Sequence, residues 1–203
     1  GTIYPIPESE IRVTPFEIPA HWPRCWSADT DAGVGWTACV WYAEDRETSV
    51  GYIYDCFKRS HAEPAVHVEA IKARGVWIPG VADAAGLAVT ARDSEQVISL
   101  WKRSGLDVVL PTKAVEAGIQ VVWERLSAGR LKVFSNCSTF FEEFRLYRRD
   151  DKGRVVKKDD HLMDCLRGAV TSGRERMKTQ SGRTGEGPIP TMDPASAAVN
   201  WMQ

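Results

Sequence analysis

No run of apolar residues approaches the roughly 18–20 needed to cross a bilayer. The first residues also lack a basic stretch followed by an apolar one, so neither a membrane anchor nor an export signal is legible. Positive charge is not in excess either: 26 basic residues stand against 27 acidic, for a net charge of -1. A whole-molecule field of that kind does not draw nucleic acid, and any such surface must be local. The five cysteines (Cys25, Cys39, Cys56, Cys137, Cys165) include no Cys-x-x-Cys pair, and their odd number excludes a complete disulfide set. Buried reduced thiols in a cytosolic setting are the expectation. His61, His67 and His161 show none of the Cys/His spacings of structural zinc. What remains is a chain of 203 residues, 43% hydrophobic and 26% charged, enough for one well-buried core. It opens on Gly1 instead of Met, as a fragment of a longer protein would.

Residues 1–23 carry Pro5, Pro7, Pro15, Pro19 and Pro23, each lacking a backbone donor, and read as a linker or an arm wrapping the domain. Three runs rich in β-branched and aromatic residues follow, at 24–29, 37–43 and 49–57, the last two joined by a polar turn as a hairpin. A helix over 64–74, a strand over 76–82, a helix over 94–104, a short strand over 106–110 and a helix over 115–128 come next. The pattern predicts a further strand over 131–134 and helices over 139–146 and 160–170. Three strands followed by alternating helices and strands define an α/β protein, a mixed central sheet flanked by helices. That order is the ribonuclease H-like one. Residues 24–172 form the domain, and Gly173 onward, rich in Gly, Ser, Thr and Pro, reads as a flexible tail apart from a contact by Trp201.

Three aspartates carry the chemistry. Asp31 lies just past the first strand, Asp83 ends the strand after the first helix, and Asp160 begins the last helix. If the first and fourth strands are neighbours, the three converge, and like charges so close raise one another's pKa unless a cation intervenes. Hard oxygen ligands suit Mg²⁺ or Mn²⁺, and two such ions about 3.5–4 Å apart would stabilise both oxygens of an in-line phosphodiester displacement. Asp29, two residues before Asp31 on the same strand face, competes for the first position. Asp164, one turn after Asp160, is a further candidate ligand. Each acid singly has a plainer reading as a turn or cap residue, Asp159 and Asp160 above all.

Several segments together resemble the C-terminal nuclease domain of large terminase subunits, the DNA-packaging proteins of tailed phages. They are Asp31-Ala32-Gly33 with Trp36-Thr37-Ala38, then His61 to His67, Trp77-Ile78-Pro79-Gly80-Val81-Ala82-Asp83, Gly129 to Phe134, and Lys158-Asp159-Asp160-His161-Leu162-Met163-Asp164. The likeness runs over residues 22–172 in the family's order. It implies a ribonuclease H-like fold with metal held by acids on the first strand, the fourth strand and the last helix, here Asp31, Asp83 and Asp160. It further implies cleavage of concatemeric double-stranded DNA in the host cytoplasm, beside an ATPase domain of the same full-length chain, a portal and a small terminase subunit, with no membrane. Relatives often carry Ile or Val before the second acid and Pro after it, where this chain has Ala82 and Ala84. The phosphate-binding G-x-x-x-x-G-K-[ST] loop of the ATPase is absent.

Between Arg145 and Lys158 lie seven basic residues (Arg145, Arg148, Arg149, Lys152, Arg154, Lys157, Lys158) and two acids, around a turn at 150–153 that suggests a charged hairpin. Such a hairpin beside a metal site would hold a phosphate backbone, the source of most non-specific DNA affinity. A solvated surface is the plainer alternative. A non-catalytic module that docks DNA, the ATPase or the portal, and a transposase or integrase of the same fold, are the rival functions. Three retained acids argue against the first, and strand transfer would mark the second.

Overall fold

Pro5 and Pro7 do not leave the N-terminal arm without structure. One helical turn, α1 (Glu8–Ile11), leads into a two-residue strand, β1 (Arg12–Val13), and Tyr4 and Ile11 are each 1% exposed. The computed structural model describes residues 1–31, 36–85, 91–112 and 114–180. The continuous apolar and aromatic runs form β2 (Arg24–Asp31), β3 (Trp36–Asp45) and β4 (Val50–Ser60). Then come α2 (Pro64–Lys72), β5 (Gly80–Ala85), α3 (Ala91–Arg103), β6 (Val108–Val109), α4 (Val115–Ser127), β7 (Leu131–Phe134), α5 (Ser138–Leu146) and α6 (His161–Gly168). A π-helical turn (Ala169–Gly173) and a 3-10 turn (Arg174–Arg176) extend α6.

The strands form one mixed sheet in the order β1-β7-β4-β3-β2-β5-β6. β2, β3 and β4 are antiparallel neighbours, whereas β5 lies parallel to β2 and β7 parallel to β4. β3 is central and buried from Thr37 to Glu44, because helices cover both faces. On one face Val68, Ile71, Ile98 and Trp101 from α2 and α3 pack against Trp26, Ala28 and Trp41. On the other, α4, α5, α6 and the arm pack against Cys25, Ala38, Val40 and Tyr42. Even-numbered β2 residues thus face α2 and α3, and odd-numbered ones face α6.

Some boundaries differ from those read in the sequence. The fourth strand begins at Gly80 instead of Val76, since Pro79 has no N–H to donate and Val76 is 57% exposed in a turn. The hairpin expected around residues 150–153 is a turn with a single bridge, Arg149 to Val155. Asp150 closes it by accepting the backbone N–H groups of Lys152 and Arg154, each at 2.9 Å. The composition-based tail also starts too early. Arg174 pairs with Glu44 at 2.8 Å, Arg176 with Asp107 at 2.7 Å, and Lys178 forms a bridge with Arg24. Residues 173–180 are therefore fastened to the start of β2 and the end of β3; Trp201 and the remaining tail lie outside the described residues.

Candidate active site

β2 and β5 run parallel with Asp29 opposite Asp83, and adjacent strands sit about 4.8 Å apart. Paired residues leave the sheet on one side, so both carboxylates face α6. Asp29 is 6% exposed, and its Oδ2 has no hydrogen-bond partner. The Nδ1 of His161 lies 3.6 Å away, too far for a hydrogen bond. Burial pushes the Asp29 carboxyl from 3.8 up to about 6; His161 pulls it down, and the charges of Asp164 and Asp83 add to the rise. Asp83 is positioned by its own strand end and by α3, accepting the Ala84 N–H at 2.9 Å and the buried Ser94 hydroxyl at 3.0 Å.

Asp160 occupies the N-cap position of α6 and is 4% exposed, yet its side chain makes no capping hydrogen bond. Its Oδ2 also lacks a hydrogen-bond partner, and Lys157 Nζ stands 3.2 Å from it as an unaligned ion pair. Asp159 adopts a left-handed φ of 50° just before. Asp164 is engaged by cations: Arg167 Nη2 is 2.5 Å from its Oδ1, and Lys157 Nζ lies 3.4 Å from each oxygen. Arg167 is itself 8% exposed and donates to the Tyr147 hydroxyl at 2.6 Å.

These groups line one cleft of about 660 Å³, which Trp36 and His161 border. Of the acids singled out in the sequence, Asp29, Asp83, Asp160 and Asp164 line it. Asp31 continues β2 opposite Ala85, but its side chain lies outside the described residues. Ser94 and Arg167 were missed, because only the packing of α3 and α6 brings them in. His161 lies inside the cleft, not on an open surface, whereas His61 and His67 do not line it.

The basic segment divides. Arg145 is paired with Glu8 of the arm, Arg149 with Glu116 at 2.7 Å and Arg154 with Asp150 at 3.2 Å. Lys157 reaches into the cleft. Arg148, Lys152 and Lys158 are exposed.

Two buried carboxylate oxygens without hydrogen bonds, facing one cleft, suit a divalent cation with oxygen ligands. Among the described residues no group of three or more acidic, histidine or cysteine side chains is arranged to hold a metal ion. Lys157 supplies the positive charge between Asp160 and Asp164.

A ribonuclease H-like sheet with acids at the ends of its first long strand, of the parallel strand beside it and at the last helix defines a class of nuclease folds. The model of the terminase RNaseH-like domain matches residues 26–172, and the chain belongs to that family. It is 32% identical over 180 residues to the large terminase subunit of Salmonella phage P22, covering 82% of this chain and 35% of the relative. The chain thus spans about a third of the length of the curated relatives it matches. The P22 large terminase nuclease domain superposes with a TM-score of 0.81 at 28% identity, covering 90% of this chain and 96% of that one. More distant structures share the fold. The nuclease of phage G20c with bound magnesium has a TM-score of 0.57 at 15% identity, covering 83% of this chain and 96% of its own. The nuclease domain of phage SPP1 with bound Mn has a TM-score of 0.54 at 18% identity, covering 75% and 86%. Among the described residues no helix is long and apolar enough to cross a membrane.

Proposed function

We propose that this domain hydrolyses phosphodiester bonds of double-stranded DNA as the cutting part of a packaging terminase, using Mg²⁺ or Mn²⁺ held by Asp29, Asp83 and Asp160. The observation that carries the reading is Asp29: a buried carboxylate with an oxygen that takes part in no hydrogen bond, set directly opposite a second aspartate. Such a pair is unfavourable unless protonated or neutralised by a cation. Asp31, two residues further along β2 and opposite Ala85, is a further ligand candidate. A pair of divalent ions bound there would lower the pKa of an attacking water and neutralise the charge that builds on the scissile phosphate.

The protein's own groups hold that geometry. Ser94 and the Ala84 N–H fix one oxygen of Asp83, leaving its orientation set before any ligand arrives. Asp164 is the anchor of Arg167 and Lys157, a role its contacts support better than metal ligation. Those two cations, with Arg148, Lys152 and Lys158 outside the cleft, are placed to accept a phosphate backbone. The P22 and SPP1 relatives are described as nuclease domains, and the magnesium and Mn of two neighbours support the choice of ion. The same reading assigns it an ATPase domain, a portal and a small terminase subunit as working partners in the host cytoplasm.

Supercoiled plasmid incubated with the chain should be nicked and then linearised in Mg²⁺ or Mn²⁺ and left intact in EDTA. Cleavage that survives chelation would sink the metal mechanism.

A further inference from the structure

An aspartate at an N-cap ordinarily folds its carboxylate back onto the N–H of the second or third helical residue. Asp160 does not. A buried helix end still needs acceptors for its first donors, and here one comes from another helix. Glu143, on α5 and 3% exposed, accepts the Leu162 N–H on Oε2 at 2.6 Å. Its Oε1 accepts from Lys58 Nζ of β4 at 2.8 Å. Lys58 stands opposite Ala38, and Ala38 opposite Asp29, so the anchor of Glu143 is on the sheet row that carries the first acid. Glu143 does not line the cleft. Asp160, relieved of capping, keeps an Oδ2 that takes part in no hydrogen bond and faces Lys157 Nζ at 3.2 Å among the cleft's acids.

We propose that Glu143 is a positioning residue, a substitute cap for α6 that keeps the Asp160 carboxylate available to a divalent cation; this rests on the nuclease reading above. Without it, the bare Leu162 N–H would recruit the carboxylate at the N-cap, the group that ordinarily serves the second helical residue, which is Asp160 itself. The carboxylate would then turn from the cleft to its own helix. Glu143 touches neither DNA nor metal in this arrangement and acts only through Asp160.

The test is Mn²⁺ titration by calorimetry on the full chain, with Lys58→Met as the background so that the half-buried Lys58 ammonium is not left without its partner. Adding Glu143→Gln, whose amide oxygen can still accept the Leu162 N–H, should leave the Mn²⁺ affinity of that background unchanged. Adding Glu143→Leu should weaken it about tenfold or more, the usual effect of losing a group that orients a ligand. If circular dichroism shows the Leu variant unfolded, Glu143→Asp in the wild-type chain replaces it, keeping the charge but withdrawing the carboxylate by one methylene, with the same loss expected. Equal affinity in the Leu or Asp variant would overturn the positioning role, as would a Gln variant that weakens as much as Leu. Wild-type chain that takes up no Mn²⁺ at all would overturn the nuclease reading and this role with it.

Discussion

Asp83→Asn removes one charge at almost constant volume, and the remaining amide oxygen can still accept from Ala84 and Ser94. The expected outcome is loss of plasmid cleavage with an unchanged circular dichroism spectrum; near-native cutting would remove Asp83 from the site. Asp29 gives a pH-dependent counterpart. Its folded pKa, about 6, stands above the unfolded 3.8, so the folded state binds the proton more tightly. Its contribution therefore costs nothing below about pH 4, grows as pH rises through 6, and is fully present above that. In metal-free buffer Asp29→Asn should be more stable than wild type at pH 8, by on the order of 3 kcal/mol, and equally stable at pH 3.5. A thermal melt series showing no difference at pH 8 would contradict the buried charge. At this scale the motifs singled out Asp31, Asp83 and Asp160, with Asp29 as the competitor for the first position, because alternation puts residues 29 and 31 on one face of a strand. Glu143, Ser94 and Arg167 carried no local signal: each acquires its role only when α5, α3 or α6 packs.

The basic segment between α5 and α6 is a composition signal that the structure divides by partner. Arg145 and Arg149 are held by Glu8 and Glu116, whereas Arg148, Lys152 and Lys158 are exposed. Replacing these last three by Ala should flatten the salt dependence of DNA affinity by about one unit of slope per phosphate contact removed. Arg145→Ala and Arg149→Ala should change the slope much less, and Kd measured against salt for both sets decides; equal effects would mean that the ion pairs open on binding. The long elements were legible because their apolar patterns are strong: β2, β3, β4 and α4 fall within a few residues of their expected limits. The hairpin was not, because turn chemistry at Asp150 closes a loop without requiring paired strands beyond it.

At the scale of the molecule, Glu44 is where sequence reading fell furthest short. It is 4% exposed, and burial would raise its pKa, but Arg174, Tyr42 and Arg125 outweigh that and hold it below the usual range. The Arg125 Nη2 lies 2.8 Å from it, so α4, the end of β3 and the 3-10 turn meet on one carboxylate. A chain ended after residue 172 loses Arg174 and Arg176 and should melt several degrees below one ended after residue 180. Each of these partly exposed pairs contributes about 1 kcal/mol at most, and a kilocalorie is worth roughly 2–4 °C in a domain of this size. Coincident melting curves would show the segment to be ornamental. The opposite end of the chain is tied down as well: Gly1 accepts the Arg149 N–H at 2.9 Å, Glu8 holds Arg145, and Tyr4 packs at a tilt against Tyr147. The Tyr147 hydroxyl in turn receives Arg167, which lines the cleft. The first residues of the arm and one side chain of the cleft thus belong to a single network of contacts that runs through residues 145–149.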